Sequence, residues 1–211
     1  MLHIVMGGTF DPVHHGHLRV AVELRERLGA GRIHLMPSLV PPHRDQPAAD
    51  AEQRLAMLRL AVAGEPGLVV DERELHRTAT SYSADTLREL RRELGPSTPI
   101  VLVMGMDAFA GLPQWHEAET IPQLAHVLVV ARPDYRLDES HEAVQWLRAH
   151  EVEDAASLAS RPAGHILLTH PPLLAISATG IRERVASGRS IRYLLPEAVQ
   201  AYIVRQGLYR K

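Results

Sequence analysis

The feature that most constrains the fold is a regular alternation between short apolar runs and segments with helical spacing. The apolar runs are rich in β-branched residues and span residues 2–6, 32–36, 68–70, 100–104, 126–131 and 165–169. Between them, apolar residues recur three or four positions apart, as at Leu87, Leu90 and Leu94. Wholly apolar strands are buried on both faces, and strands that alternate with helices form parallel sheets. The sequence therefore predicts an α/β fold, a Rossmann-like doubly wound parallel sheet.

Glycine, serine and proline mark the expected ends of several helices. Gly29 and Gly95 follow two of the periodic segments, where a residue in the left-handed conformation commonly ends a helix. Ser177 can cap a helix that runs to about Ala186, and Pro196 can begin another in its first turn. The chain is therefore predicted to have a helical carboxyl end.

Size and charge exclude several classes of protein. A chain of 211 residues with 45% hydrophobic content can bury a substantial core, so we predict a single domain over residues 1–211. The net charge of −2 gives no global basic field of the kind that attracts nucleic acid or anionic membranes. No apolar stretch approaches the roughly 18 residues that a membrane span needs, and the absence of cysteine excludes thiolate metal sites. We expect a cytoplasmic protein without nucleic-acid or membrane partners; its oligomeric state has no sequence signal.

Three segments that resemble loops follow predicted strands: residues 38–50 are rich in proline, residues 73–83 are polar and residues 105–122 are irregular. In a parallel sheet all three should leave from the carboxyl ends of the strands. Open α/β sheets bind ligands at that edge, where the strand order reverses. The functional site is therefore predicted there.

A segment rich in glycine and histidine, GGTFDPVHHGH at residues 7–17, connects the first strand to the first helix. Unpaired N–H groups and the dipole at a helix start bind anions, and a missing Cβ at Gly16 allows close approach. His14 and His17 are three residues apart, so their imidazoles can converge and donate hydrogen bonds to phosphate oxygens. A metal site and a structural histidine pair are the alternatives, while His15 is expected to point away and to cap or to fill space.

The same segment argues against two common nucleotide-binding classes. It is neither GxGxxG nor GxxxxGK[ST], and the second strand ends in Leu35-Met36-Pro37 without the acidic residue of a dehydrogenase.

Attack of a phosphate on the α-phosphorus of ATP needs no protein nucleophile, because the attacking oxygen is already anionic. It needs positioning and hydrogen-bond donors, which two histidines and a helix start can supply.

A second phosphate cradle is predicted near the carboxyl end, in ISATGIR at residues 176–182. The hydroxyls of Ser177 and Thr179 and the guanidinium of Arg182 can face one anion at a helix start. An ordinary serine cap with a solvated arginine is the alternative. The pairing with the first segment favours phosphate binding.

These two segments resemble the HxGH and ISxTxIR signatures of the nucleotidyltransferase superfamily. The chain length, PPH at 41–43, TSYSADTL at 80–87, MGMDAF at 104–109 and WHE at 115–117 are similar to one family within it, the bacterial nicotinate-nucleotide adenylyltransferases. The resemblance covers nearly the whole chain. It implies transfer of AMP from ATP to nicotinate mononucleotide, giving deamido-NAD and pyrophosphate in NAD biosynthesis, by in-line attack without a covalent intermediate. Mg²⁺ would be carried on the ATP phosphates, with no protein metal site.

The resemblance also implies roles for individual residues. His14 and His17 contact the ATP phosphates, and Ser177, Thr179 and Arg182 hold the triphosphate. The other residues assigned to ATP lie in the first loop or after the fourth strand: Gly7, Gly8, Thr9, Phe10, Gly16, Gly105 and Asp107. The carboxylate of Asp107 would accept a hydrogen bond from a ribose hydroxyl. The residues assigned to the second substrate provide a stacking aromatic ring, main-chain amides for the nicotinate carboxylate, or phosphate contacts: Trp115, His116, Ser81, Tyr82, Ser83, His43 and Arg44.

Two positions depart from the family pattern. Arg44 stands where lysine is common, which keeps the charge but changes a point ammonium into a planar fork. His116 stands where tyrosine often follows the tryptophan, so only a main-chain role carries over. Core burial is the alternative for Trp115, and an ordinary surface aspartate for Asp107. The alternative functions are adenylyl transfer to nicotinamide mononucleotide or phosphopantetheine on the same fold, and noncatalytic nucleotide sensing.

Overall fold

The computed structural model describes residues 1–39, 46–77, 80–131 and 138–210. Its strands are β1 (His3–Gly8), β2 (Ile33–Pro37), β3 (Leu68–Val70), β4 (Ile100–Gly105), β5 (His126–Val130), β6 (Glu151–Val152) and β7 (Ile166–Thr169). Its helices are α1 (His15–Arg27), α2 (Ala51–Val62), α3 (Ser83–Leu94), α4 (Met106–Gly111), α5 (Ile121–Leu124), α6 (Glu142–His150), α7 (Ala178–Ala186) and α8 (Glu197–Gln206). Short 3-10 turns span Arg73–His76, Leu112–Gln114, Ala118–Thr120 and Ala156–Ala159.

The strands form one seven-stranded sheet in the order β3-β2-β1-β4-β5-β7-β6. The pairs β1/β4, β4/β5, β5/β7 and β7/β6 are parallel, and β1 and β4 are in register from His3 opposite Ile100 to Met6 opposite Val103. The strand order reverses between β1 and β4. The predicted doubly wound parallel sheet is therefore confirmed, and the loops that follow β1 and β4 leave from the edge at which such sheets bind ligands.

The apolar runs are continuous because both faces of the central strands are covered. All five residues of β5 are buried, as are the first five of β4. Burying one such side chain contributes about 1.5–3 kcal/mol to folding, so these strands supply much of the driving force.

The residues cluster into two compact units, each built from separate segments of the chain. One comprises Met1–Gly7, Leu24–His34 and Tyr82–Pro171, and the other comprises Gly8–Glu23, Leu35–Ser81 and Pro172–Lys211. Helix α3 lies against α5 in the first unit, and α2 lies against α8 in the second. The single domain expected over residues 1–211 stays a prediction.

Several local predictions need correction. Gly29 has the expected left-handed φ of 58°, but Gly95 ends α3 with φ 82° and ψ 169°, an extended conformation open to glycine rather than the left-handed one. The two-residue strand β6 is too short to produce a periodic pattern and was not predicted. Ser177 caps α7, which ends at Ala186 as predicted, whereas Pro196 stands one residue before α8.

Among the described residues, no helix combines the length and the apolar character needed to cross a membrane.

Candidate active site

The loop after β1 has a fixed shape that depends on one glycine and one aromatic residue. Phe10 is buried and adopts the left-handed conformation with φ 51°, which is unusual for a residue with a side chain. Its ring lies against Gly8, where a Cβ would come within 2.9 Å of the ring. A larger residue at position 8 would therefore displace the Phe10 ring from this position.

His14 and His17 are brought together at the start of α1. Their rings stack with centroids 3.7 Å apart, and the ring of Phe10 meets His17 edge-on at 5.1 Å. A Cβ at Gly16 would lie 2.9 Å from the His14 ring. His15 is the first residue of α1, and its backbone N–H donates to the carbonyl of Leu194 at 3.0 Å. The three-residue spacing thus produces the predicted pair, and Gly16 leaves the space that the His14 ring occupies.

Burial keeps both histidine rings neutral. It lowers the pKa of His14 to about 4, with a smaller effect of neighbouring His15, and it lowers the pKa of His17 to about 3, with a smaller effect of His14. The Nδ1 atoms of both rings are buried and accept or donate no hydrogen bond within the described part of the chain. Unsatisfied buried polar atoms are costly. An anion at this point would offset that cost and would favour protonation.

The second signature meets the first through direct contacts. The Ser177 hydroxyl accepts the Gly180 N–H at 3.1 Å, which begins α7. Arg182 donates from Nη2 to the Thr179 hydroxyl at 3.2 Å and from Nη1 to the Asp11 carbonyl at 2.6 Å. The structure thus brings a cap, a hydroxyl and a guanidinium together beside the first loop, and their binding of one phosphate stays a prediction.

Asp11 is a residue of this site that sequence reasoning did not single out. Its carboxylate is buried and accepts the backbone N–H groups of Ala48 at 2.8 Å and Ala49 at 3.1 Å. It also accepts the hydroxyl of Tyr209 at 2.7 Å. Asp11 lies inside the first signature, so the motif itself was the available signal, whereas no sequence pattern connects it with Tyr209.

Arg54 is a second residue that sequence reasoning missed. It is 1% exposed and donates to the carbonyls of Thr9 at 2.8 Å, Ser38 at 2.7 Å and Leu39 at 2.8 Å. Burial lowers its pKa, while the negative charge of Asp11 opposes that effect. Three carbonyls replace the water that this cation loses, so Arg54 fixes the loops after β1 and β2.

Gly105 and Asp107, in the other unit, lie at the carboxyl end of β4 and in the first turn of α4. Gly105 ends β4 and is exposed, and a Cβ built there meets no described atom within 4 Å. Asp107 is exposed in the first turn of α4. Gly7 belongs to the same unit, and a Cβ on it would likewise meet no described atom within 4 Å. The assigned roles of these three residues in binding ATP stay predictions.

The segment before α3 combines a buried hydroxyl with an uncapped helix start. The Ser81 hydroxyl is buried and accepts from Arg77 at 2.9 Å. Tyr82 occupies the cap position of α3 without a side-chain hydrogen bond to the helix, and Ser83 is its first residue. First-turn N–H groups without a side-chain cap suit a carboxylate. His43 and Arg44, also assigned to this substrate, lie outside the described residues.

Trp115 and His116 form the aromatic part of this unit. Trp115 is half-buried after the 3-10 turn Leu112–Gln114, so it is not a fully buried core residue. The His116 ring lies 4.2 Å from the Tyr82 ring with 32° between their planes. Glu117 follows with a left-handed φ of 50° and accepts from Arg88. His116 therefore does make a side-chain contact, although the family pattern gave no basis for one.

Comparison with known proteins gives consistent findings. Residues 5–184 match the family model described as cytidylyltransferase-like. A protein of Marinobacter nauticus is 54% identical over 208 residues, which is 99% of this chain and 96% of the relative. A protein of Chromohalobacter salexigens is 50% identical over 206 residues, which is 97% of this chain and 94% of the relative. Both bear the name "Probable nicotinate-nucleotide adenylyltransferase".

Solved structures resemble the fold. The nicotinic acid mononucleotide adenylyltransferase of Plasmodium falciparum complexed with NaAD superposes with a TM-score of 0.75. The match covers 99% of this chain and 97% of that chain at 17% identity. The likeness shows a shared fold.

Proposed function

The chain belongs to the nicotinate-nucleotide adenylyltransferase family, and we propose that it transfers AMP from ATP to nicotinate mononucleotide, releasing pyrophosphate and forming deamido-NAD. The observation that carries this proposal is the junction of the two signatures. Arg182 of the second donates to the Asp11 carbonyl of the first at 2.6 Å, beside the stacked pair of His14 and His17. Donors from both ends of the chain thus meet within one compact unit.

The chemistry follows from what these groups can donate. The phosphate of the mononucleotide attacks the α-phosphorus of ATP in line, and pyrophosphate leaves from the opposite side. Each neutral imidazole offers one N–H, and Arg182 offers the N–H groups that its two internal bonds leave unused. These donors stabilise charge as it grows on the phosphate oxygens, so catalysis needs orientation and electrostatics but no protein nucleophile.

Recognition of the second substrate is proposed for the unit that holds α3 and Trp115. The first-turn N–H groups of α3 would bind the nicotinate carboxylate, because Tyr82 supplies no side-chain cap that competes for them. A nicotinamide ring would place an NH₂ donor against these donors, so the acid is preferred. The half-buried face of Trp115 would stack on the pyridine ring.

Mg²⁺ would enter with ATP as its phosphate complex. Within the described ranges, no group of three or more His, Asp or Glu side chains is arranged to hold a metal ion. A cation bound through substrate oxygens and water needs no such group. It would supply charge neutralisation on the triphosphate, while the residues above orient the reacting groups. We also propose a cytoplasmic location, where ATP is available.

The test is pyrophosphate release from Mg-ATP with nicotinate mononucleotide, nicotinamide mononucleotide and phosphopantetheine offered separately at equal concentration. We expect clear preference for nicotinate mononucleotide. Preference for another acceptor would refute the carboxylate assignment, and release with none would favour a nucleotide sensor.

A matched pair of variants tests the phosphate site. Arg182→Lys should lower turnover because a point charge cannot replace the planar fork. Arg184→Lys makes the same change at an exposed position on the same helix, and its turnover should stay unchanged. Equal activity in both variants would exclude Arg182 from the site.

A further inference from the structure

The described chain ends with a turn that returns to the first loop. Gly207 ends α8 in the left-handed conformation with φ 65°, and Tyr209 adopts a similar conformation with φ 61°. Leu208 between them is buried. A tyrosine in this conformation is strained and persists only where surrounding contacts fix it. The contacts of Tyr209 therefore bear on its role.

The contact that fixes Tyr209 is a hydrogen bond to a buried carboxylate. Its hydroxyl donates to Oδ1 of Asp11 at 2.7 Å. Burial, the hydrogen bond and the charge of Asp11 raise the pKa of Tyr209, so the hydroxyl keeps its proton and remains a donor. Two backbone N–H groups, those of Ala48 and Ala49, also donate to the same carboxylate.

Asp11 in turn orients Arg182. The Asp11 carbonyl accepts from Nη1 of Arg182 at 2.6 Å, and its carboxylate Oδ2 lies 3.7 Å from the same nitrogen. The Arg182 side chain is 31% exposed, and within the described residues two of its N–H groups are engaged. A displaced Asp11 would therefore turn the guanidinium that we propose binds the phosphates.

We propose that Tyr209 is a positioning residue for the nucleotide phosphates: its hydroxyl fixes Asp11, and Asp11 fixes Arg182 in the orientation that binds the triphosphate. The inference rests on the proposed function only in that Arg182 binds ATP. It assigns the last turn of the chain a part in ATP binding, and the identity of the second substrate does not enter.

The first experiment measures ATP binding by calorimetry, without the second substrate, for Tyr209→Phe. Because Tyr209 acts on ATP only through Asp11 and Arg182, loss of its hydrogen bond should have a smaller effect than loss of a direct contact. The Kd for ATP should rise about three- to tenfold, and kcat/KM for ATP should fall by a similar factor. The KM for nicotinate mononucleotide should stay within about twofold. Tyr202→Phe is the matched control, because the Tyr202 hydroxyl makes no hydrogen bond in the described part of α8 and its surroundings. Its Kd for ATP should equal that of the unmodified protein.

A double-mutant cycle separates positioning from general structural support. If Tyr209 acts through Arg182, then Tyr209→Phe should change the Kd for ATP by less than about twofold in the Arg182→Lys background. Equal effects in both backgrounds, or an unchanged Kd for the single variant, would overturn the inference. All measurements are made below the unfolding temperature of each variant, determined by circular dichroism. Binding is measured with ATP alone. Failure of turnover with nicotinate mononucleotide would therefore count against the proposed function but would not affect the conclusion about Tyr209.

Discussion

Replacing Gly16 with alanine should damage the phosphate site while leaving the fold intact. The new Cβ would lie 2.9 Å from both Cε1 and Nδ1 of the His14 ring and 3.4 Å from the carbonyl of Ile176. Carbon atoms rarely approach closer than about 3.4 Å, so the ring must retreat by roughly half an ångström or more. The stacked ring of His17, with its centroid 3.7 Å away, would be displaced with it.

The size of the effect follows from this displacement. Overpacking of this kind costs about 1–3 kcal/mol of stability. A 1 Å misplacement of reacting groups can cost about a hundredfold in rate, so the smaller shift at His14 should lower kcat about ten- to a hundredfold. Pyrophosphate release at saturating ATP and nicotinate mononucleotide measures this, and the thermal unfolding midpoint shows that the protein remains folded.

Gly31→Ala is the matched control for this experiment. A Cβ at Gly31 would have one described neighbour within 4 Å, the sulfur of Met1 at 3.9 Å, and Gly31 has no positive φ. Its kcat should therefore equal that of the unmodified protein. Retention of more than half the activity in Gly16→Ala, together with a lowered midpoint that shows the overpacking, would show that the His14 ring does not take part in the reaction.

Three further predictions concern the histidines and the pyridine site. His17→Ala should lower turnover by at least about a hundredfold with a smaller change in the Kd for ATP, since one transition-state donor is removed; near-normal turnover would exclude that role. The thermal midpoint should fall as the pH drops from about 6.5 towards 4, because burial lowers the folded pKa values of His14, His17 and His126 to about 4, 3 and 4, and these rings take up protons on unfolding. A flat midpoint across that window would contradict the buried neutral rings. Trp115→Ala should raise the KM for nicotinate mononucleotide about two- to tenfold without changing the KM for ATP, and equal changes in both would exclude a stacking role.

The fold was predictable because strands that are buried on both faces are continuous apolar runs in the sequence. Strand β3 spans Leu68–Val70 as predicted, and the other long strands differ from their predicted bounds by one or two residues. The set of residues that α2 buries was less predictable. Arg54 occupies a buried position beside Met57 and Leu58, and only the three carbonyls that it meets make a buried arginine acceptable there.

The site was predictable where the chemistry lies within a short segment. His14 and His17 are close in sequence, and so are Ser177, Thr179 and Arg182, so spacing and helix geometry bring each group together. Contacts between distant segments have no such signal.

Asp11 and Tyr209 illustrate this limit, since they are 198 positions apart and join through one hydrogen bond. The neutrality of the histidine pair depends on burial, which exists only after folding. The roles assigned to His43 and Arg44 stay predictions that variants at those positions can test.

The most direct test of the chemistry is the stereochemical course at the α-phosphorus. ATP in which sulfur replaces one non-bridging oxygen of the α-phosphate, as a single stereoisomer at phosphorus, is offered with Mg²⁺ and nicotinate mononucleotide. The configuration of the thiophosphate in the dinucleotide product is then determined. A single in-line displacement, in which the histidines and Arg182 only orient and stabilise, inverts the configuration, and we expect inversion. Retention would mean two displacements through a covalent enzyme intermediate and would contradict the mechanism proposed for this site.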